Sequence, residues 1–293
     1  MRITILIILT SIIAVGAILM IWGLIEAAML KVTHDKLILG DYDGSSHDGS
    51  ADGPDLRILY FSDLHREMCP ISSKRVISVI RREHASGGLD AVIFGGDISE
   101  GRHHALKSLD YLNAIGDALK ELGIPYMAVT GNHDTEVPPE EIGMFNFDNM
   151  DGCIRYLKSR RDARYIAFAG VKDTGRKHRV WMTPPAPSAG IPYTSYILLS
   201  HNPDHVLHLP PELPYRVDAM ISGHIHGGQI RTPFGWEFVL RHDELPYKGI
   251  ISGLHDINGV KLFISKGIGC VFLPFRFFAR PEINILEIYA DRG

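Results

Sequence analysis

The chain has 293 residues, of which 45% are hydrophobic and 22% are charged, and its formal net charge is -4. This composition excludes a disordered chain, and the slight acidity without a long Lys/Arg run argues against nucleic-acid docking on a basic face. The three cysteines are far apart and form no CxxC pair, which argues against a disulfide framework and a thiolate zinc site.

The amino-terminal segment is apolar enough to cross a membrane. Residues 3–25 contain no charged side chain, and a helix of that length, at ~1.5 Å per residue, covers the ~30 Å hydrocarbon core. We predict a single transmembrane anchor at residues 1–30, with a cleaved secretory signal as the alternative. Arg2 faces Lys31 and Lys36 across the span with almost no charge bias. We expect the catalytic domain on the extracytoplasmic side.

A flexible linker is predicted next, at residues 31–55, because residues 40–54 are rich in Gly, Ser and Asp. A domain at residues 56–293 follows. Its first half predicts a β-α-β-α-β order, with strands at 56–61, 91–94 and 125–130 and helices at 73–82 and 104–122. This order implies parallel strands with helical crossovers. Apolar runs at 165–169, 179–181, 196–199, 219–222, 262–265 and 283–288 predict a second sheet. We expect an α/β sandwich of two sheets with helices outside.

Short polar clusters follow the apolar runs, where a sheet would present its strand ends. They contain seven candidate metal ligands: Asp63, His65, Asp97, Asn132, His201, His224 and His226. Carboxylate, imidazole and amide donors suit divalent ions such as Mn, Fe, Zn or Ni, and seven ligands suffice for two ions. Residues i and i+2 of an extended segment point to one side, so Asp63 and His65 are expected to hold an ion together. His224 and His226 are expected either to do the same or to contact two neighbouring ions. An anionic bridge is needed between two close ions, and Asp97 is the best candidate.

His133 is the candidate catalytic residue. It lies beside Asn132, and we expect Asp134 to orient its imidazole so that it stabilises a phosphate oxygen or protonates a leaving alcohol. A polar turn residue is the alternative interpretation of His133.

Together, the stretches FSDLH, FGGDIS, TGNHD, LSHNP and SGHIHGGQ resemble the motifs of the calcineurin-like metallophosphoesterase family, and the anchor makes the chain similar to its bacterial membrane-anchored phosphohydrolases. The resemblance implies a four-layer αββα sandwich. It implies one ion on Asp63, His65 and His226, a second on Asn132, His201 and His224, a bridging Asp97 and a catalytic His133. It also implies attack by a metal-bridging hydroxide. Manganese is the preferred ion, and zinc, iron, nickel and magnesium are the alternatives.

The substrate class is predicted from the chain ends. Residues 270–280 (CVFLPFRFFAR) combine aromatic side chains with two arginines, a composition typical either of a buried strand end or of a contact with lipid. We expect a phosphorylated small molecule or lipid as substrate, with a phospholipid or lipid pyrophosphate favoured if the segment is exposed. The alternative from another class is a noncatalytic metal-binding scaffold for a protein partner. The oligomeric state is left open.

Overall fold

The fold is described from a computed structural model, which covers residues 2–40, 53–175, 179–232 and 243–290. Its described residues form two six-stranded sheets. The first sheet has the order β1-β12-β2-β3-β4-β5. Its strands are β1 Lys31–Ile38, β2 Leu56–Phe61, β3 Ala91–Phe94, β4 Tyr126–Ala128, β5 Asp148–Asn149 and β12 Glu282–Tyr289.

The second sheet has the order β10-β11-β9-β8-β7-β6. Its strands are β6 Ile154–Lys158, β7 Tyr165–Val171, β8 Tyr193–Ser200, β9 Ala219–Ser222, β10 Gly253–Ile257 and β11 Val260–Ile264. The α-helices are α1 Arg2–Ala27, α2 Ser73–Gly87, α3 Arg102–Ala105, α4 Leu109–Leu122, α5 Pro139–Ile142 and α6 Glu244–Tyr247. Strands β2, β3 and β4 are parallel to one another, as are β7, β8, β9 and β11.

Three apolar layers hold the sheets and helices together. Successive side chains of β2 point to opposite faces, as in any strand. Leu59 and Phe61 pack under α2 and α4, whereas Ile58 and Tyr60 pack between the two sheets. A third layer covers the outer face of the second sheet beneath the 3-10 helix Pro203–His208 and α6. The predicted α/β fold with two sheets is therefore confirmed.

Two predicted segments differ from the structure. The prediction of a flexible linker from residue 31 is wrong for Lys31–Ile38, which pair in parallel with β12 along eight residues. This edge strand mixes charged and apolar side chains and therefore lacks an apolar run. The predicted strand at 179–181 is also wrong, because these residues adopt no regular structure. The Gly-rich part of the predicted linker, residues 41–52, lies outside the described residues.

Helix α1 is the one described helix that is long and apolar enough to cross a membrane. Its side chains are exposed from residue 2 to residue 22, and only Gly23, Glu26 and Ala27 are buried. The carboxyl-terminal turn of α1 therefore packs against the domain, whereas the rest of the helix projects from it.

Candidate metal centre

The predicted ligands converge at one end of the sandwich, in loops that follow β2, β3, β4, β8 and β9. Parallel strands present their carboxyl ends at a common edge, and the two packed sheets bring these edges together. Asp63, His65, His201, His224 and His226 are all at most 1% exposed, and Asp97 is 2% exposed. Distant parts of the chain thus form one buried polar cluster.

The loops that carry Asp63 and His65 and that carry His224 and His226 do not have the extended conformation that the sequence predicts. Asp63 and His65 have φ angles of 54° and 37°, and His224 and His226 have φ angles of 73° and 53°. The left-handed region is costly for residues other than glycine and is found most often at functional sites. Because the chain turns sharply after each strand, the expected extended conformation is wrong here. Asp63 and His65 still converge on one group of ligands, whereas His224 and His226 belong to different groups.

Asp63, His65 and His226 form the first cluster. Nε2 of His226 lies 3.2 Å from Nε2 of His65 and 3.3 Å from Oδ1 of Asp63. Two imidazole nitrogens that face each other at this distance need a shared proton or a cation between them, because two lone pairs repel. The donor set of one carboxylate and two imidazoles fits a divalent transition metal ion.

Asp97, His201 and His224 form the second cluster. Nε2 of His201 lies 3.3 Å from Nδ1 of His224 and 3.1 Å from Oδ2 of Asp97. The carbonyl oxygen Oδ1 of Asn132 is buried and has no hydrogen-bond partner among the described groups. Burying an amide oxygen without a partner costs roughly 1–3 kcal/mol. A cation bound to Asn132 would remove that cost, so the residue fits the ligand role predicted for it.

Asp97 joins the two clusters through one atom. Its Oδ2 lies 3.4 Å from Nε2 of His65 and 3.1 Å from Nε2 of His201. Its Oδ1 accepts a hydrogen bond from the backbone N–H of His133 at 2.9 Å, which fixes the carboxylate. This position between the two clusters fits the bridging role predicted for Asp97.

His133 lies on the open side of the clusters and is partly exposed, at 24% of its side chain. Its ring centroid is 5.0 Å from that of His65, and its Nδ1 lies 3.4 Å from the backbone oxygen of Glu100. A partly exposed imidazole beside a buried ligand cluster is positioned to meet a substrate. Its catalytic role stays a prediction.

The expected orientation of His133 by Asp134 is wrong. The Asp134 carboxylate accepts hydrogen bonds from the backbone N–H groups of Asp97, Ile98 and Gly131 at 2.8–2.9 Å. These bonds tie the loop after β3 to the loop after β4. Asp134 therefore holds the backbone that carries Asp97, and Nδ1 of His133 contacts Glu100 instead.

Three groups contact the imidazoles on the side away from the ligand clusters, and two of them, Glu100 and Asp243, lie outside the sequence motifs. Oε1 of Glu100 lies 3.0 Å from Nδ1 of His65, and Oδ2 of Asp243 lies 3.1 Å from Nε2 of His224. The backbone oxygen of Gly95 lies 2.7 Å from Nδ1 of His201. Such partners fix the orientation of a metal-binding imidazole. No motif spacing marks Glu100 or Asp243, so the sequence interpretation missed both.

Charge coupling inside the cluster changes the pKa values of its members. Burial lowers the pKa of His65, but the carboxylates of Asp97 and Glu100 outweigh burial and raise that pKa to about 9. Burial likewise opposes protonation of His201, whereas Asp97 raises the pKa of His201 to about 10. Burial favours a neutral Asp97, yet His201 and His65 hold the pKa of Asp97 well below its usual range. The cluster therefore attracts positive charge, whether protons or metal ions.

Two glycines of the motifs are required by close approach. A Cβ on Gly223 would lie 2.5 Å from Oδ2 of Asp63 and 2.8 Å from Cβ of Ser62. A Cβ on Gly131 would collide with Oδ1 of Asp97. Any side chain at either position would push a candidate metal ligand out of place.

Sequence comparison shows which known proteins this chain is similar to. Residues 56–228 match the family model described as Metallophos, calcineurin-like phosphoesterase. The chain is 27% identical over 238 residues to the uncharacterized metallophosphoesterase YkoQ of Bacillus subtilis (strain 168), covering 80% of this chain and 83% of that protein. It is 28% identical over 247 residues to the phosphodiesterase YaeI of Escherichia coli (strain K12), covering 79% of this chain and 82% of that protein.

Proposed function

Because this chain belongs to the calcineurin-like phosphoesterase family, we propose that it hydrolyses phosphoesters with two divalent metal ions and acts on a phospholipid or lipid pyrophosphate at a membrane surface. One observation carries the hydrolase part of the proposal. Oδ2 of Asp97 lies within 3.4 Å of imidazole nitrogens from both ligand clusters, as a shared ligand of two close ions must. Two bound ions would supply an activated water molecule and neutralise charge on the phosphoryl oxygens.

The protein's own residues have separable tasks in this reaction. Asp63, His65 and His226 would hold one ion, Asn132, His201 and His224 would hold the other, and Asp97 would be shared by both. His133, on the open side, binds a phosphoryl oxygen or delivers a proton to the leaving oxygen. Glu100 and Asp243 contact the imidazoles of His65 and His224 on the side away from the clusters and would hold them in orientation for metal binding.

The membrane part of the proposal is supported by the end of α1. Glu26 accepts a hydrogen bond from the backbone N–H of Ala279 at 3.0 Å, and Gly23 accepts one from the backbone N–H of Arg276 at 3.1 Å. Cleavage after α1 as a signal segment would remove both buried contacts. They support a retained anchor that holds the domain at the bilayer. The extracytoplasmic position of the catalytic domain is proposed from the sequence alone.

A substrate screen with the full chain tests the proposal. Detergent-extracted protein is stripped of metal and reloaded separately with Mn, Zn, Fe, Ni or Mg. It is then assayed on an aryl phosphomonoester, an aryl phosphodiester, and a lipid phosphodiester and a lipid pyrophosphate in mixed micelles. The diesters are included because the Escherichia coli relative is described as a phosphodiesterase.

The matched variants are Asp97→Asn and Asp256→Asn, the second of which changes an exposed carboxylate paired with Lys261. We expect Asp97→Asn to lower the rate by roughly 100-fold or more, since a charge-stabilising group of the transition state is typically worth that much. Asp256→Asn should keep the wild-type rate. A metal-loaded protein inert on the whole panel would favour the noncatalytic scaffold, and an unchanged rate in Asp97→Asn would contradict the bridging role.

A further inference from the structure

The segment between β11 and β12 exposes large apolar side chains beside the metal centre. We call residues 270–278 the apolar loop. Phe272, Leu273 and Phe278 are 62%, 45% and 55% exposed, whereas Arg276 is fully buried. Phe272 and Phe278 have φ angles of 61° and 51°, a conformation that bulky residues rarely adopt. The fold thus holds two phenyl rings outward, at a conformational cost to the backbone.

The apolar loop is fixed to the carboxyl-terminal turns of α1. Phe275 and Phe277 pack on Gly23 so closely that a Cβ there would lie 2.7 Å from Cε2 of Phe277. The backbone N–H of Arg276 donates to the oxygen of Gly23 at 3.1 Å. Gly23 lies inside the charge-free segment 3–25. The apolar loop is therefore level with the last apolar turns of the helix.

This level corresponds to a membrane interface if α1 crosses a bilayer. A helix of this length extends ~39 Å, about 9 Å more than the hydrocarbon core, so its end lies among the head groups. Phe and Leu side chains of interfacial segments enter the boundary between head groups and acyl chains at that depth, and arginine side chains extend toward the head groups there. Arg280, two residues after the loop, is exposed and donates to the backbone oxygen of Met29 at 3.0 Å.

The other side of the apolar loop contacts the metal centre. Nη2 of Arg276 lies 3.3 Å from Nδ1 of His226, and the backbone N–H of Gly269, just before the loop, donates to the oxygen of Asp63 at 2.8 Å. The side chain of Gln229, three residues after His226, accepts from the N–H of Val271 at 2.8 Å. One rigid connection thus links the end of α1, the loop and the first cluster.

We propose that the apolar loop is a second membrane contact, in which Phe272, Leu273 and Phe278 enter the interfacial layer of the bilayer that holds α1. This contact holds the metal centre at the level of the phospholipid head groups and presents their phosphates to it. The occupant is a phospholipid bilayer, because the loop continues the apolar surface of α1 at the same depth. The insertion stands on the geometry of α1 and the loop, whereas the presentation of lipid phosphates rests on the proposed function.

Spin labelling of the full chain in phosphatidylcholine/phosphatidylglycerol vesicles tests the insertion without any assay of catalysis. Labels are placed at Leu273→Cys and Phe278→Cys in a Cys153→Ser background, which removes an exposed thiol. Leu254→Cys is the matched control, since Leu254 is 44% exposed on the edge strand β10 of the second sheet. Ile18→Cys in α1 gives the reference for a label inside the membrane.

We expect labels at 273 and 278 to collide more with oxygen and less with a water-soluble nickel chelate than the label at 254. Access of the nickel chelate at 273 and 278 equal to that at 254 would overturn the proposal. That result would also leave the loop as a surface for another partner.

A second experiment tests whether the contact serves the reaction. In Leu273→Asp/Phe278→Asp, the ratio of the rate on a lipid phosphate in vesicles to the rate on a soluble aryl ester should fall by about tenfold or more, as expected for losing the burial of a large apolar side chain. Leu254→Asp should keep the wild-type ratio. An unchanged ratio in the double variant would overturn the role in substrate presentation. If the wild-type protein hydrolyses neither substrate, the proposed function is contradicted. The spin-label test of insertion does not depend on that outcome.

Discussion

Asp243 offers a test of the site at one metal position only. Its Oδ2 lies 3.1 Å from Nε2 of His224, and its Oδ1 lies 2.9 Å from Nη1 of Arg179. Burial alone would raise the pKa of Asp243, but His224 and Arg179 hold that pKa far below its usual range. The carboxylate is therefore charged at neutral pH and supports a His224 ring that turns Nδ1 toward His201.

The substitution Asp243→Asn keeps the size of the side chain and removes its charge. Loss of such an outer partner typically weakens metal binding by ~10–100-fold, which corresponds to about 1.4–2.7 kcal/mol. Because Asp243 contacts His224 and the first cluster has its own partner in Glu100, we expect this loss at the second ion only.

Calorimetric titration of the metal-stripped full chain with Mn²⁺ measures this effect. The wild-type protein should bind two ions, and Asp243→Asn should weaken one binding event and leave the other within a factor of about two, as expected for sites with separate partners. Asp256→Asn, an exposed carboxylate paired with Lys261, is the control. Two wild-type affinities in Asp243→Asn, or equal weakening of both, would refute the assignment of Asp243 to the second ion.

Three further predictions concern catalysis, pH and packing. His133→Asn should lower kcat by ~10²–10⁴-fold, the usual contribution of a general acid, while elemental analysis still finds two ions per chain; loss of the ions would instead make His133 a ligand. In the metal-free fold, the pKa of His65 is raised to about 9 and that of His201 to about 10, so protonation of these imidazoles stabilises the fold. This stabilisation is fully present below the unfolded pKa of ~6.5 and is lost as pH rises through 9–10. Because Mn²⁺ displaces these protons, the difference in Tm between Mn²⁺-loaded and EDTA-treated protein should grow from pH 6 to pH 9, and a constant difference would contradict proton competition. Gly223→Ala should lower the free energy of unfolding by ~1–3 kcal/mol through overpacking against Asp63, whereas Gly53→Ala, with nothing within 4 Å of the added Cβ, should be neutral in thermal denaturation; equal Tm values would show that Asp63 can move.

The sequence identifies the buried strands well and the edge strands poorly. The apolar runs at Leu56–Phe61, Ala91–Phe94 and Ala219–Ser222 are strands with every residue buried, and a strand covered on both faces reads as a continuous apolar run. Strands β1 and β6 lie at the edges of their sheets. Their sequences, KVTHDKLI and IRYLK, place charged residues on exposed faces, so no apolar run marks them.

Local sequence also identifies the ligand types but not their surroundings. Asp134 directly follows His133, yet its carboxylate accepts from Asp97 and Ile98. A carboxylate bonds whichever N–H groups the fold brings to it, and sequence adjacency does not select them. Glu100, Asp243 and Arg276 reach the imidazoles from loops that no motif spacing connects to them.

The sequence by itself determined the family, the seven candidate ligands and the apolar anchor helix, because motif residues and apolar runs are local properties of a chain. Tertiary structure alone decided that Oδ2 of Asp97 lies between His65 and His201, and that the end of α1 is joined to His226 through the buried Arg276. Both arrangements depend on the packing of two sheets and on loops that turn through left-handed conformations. Such distances arise only when distant segments are brought together.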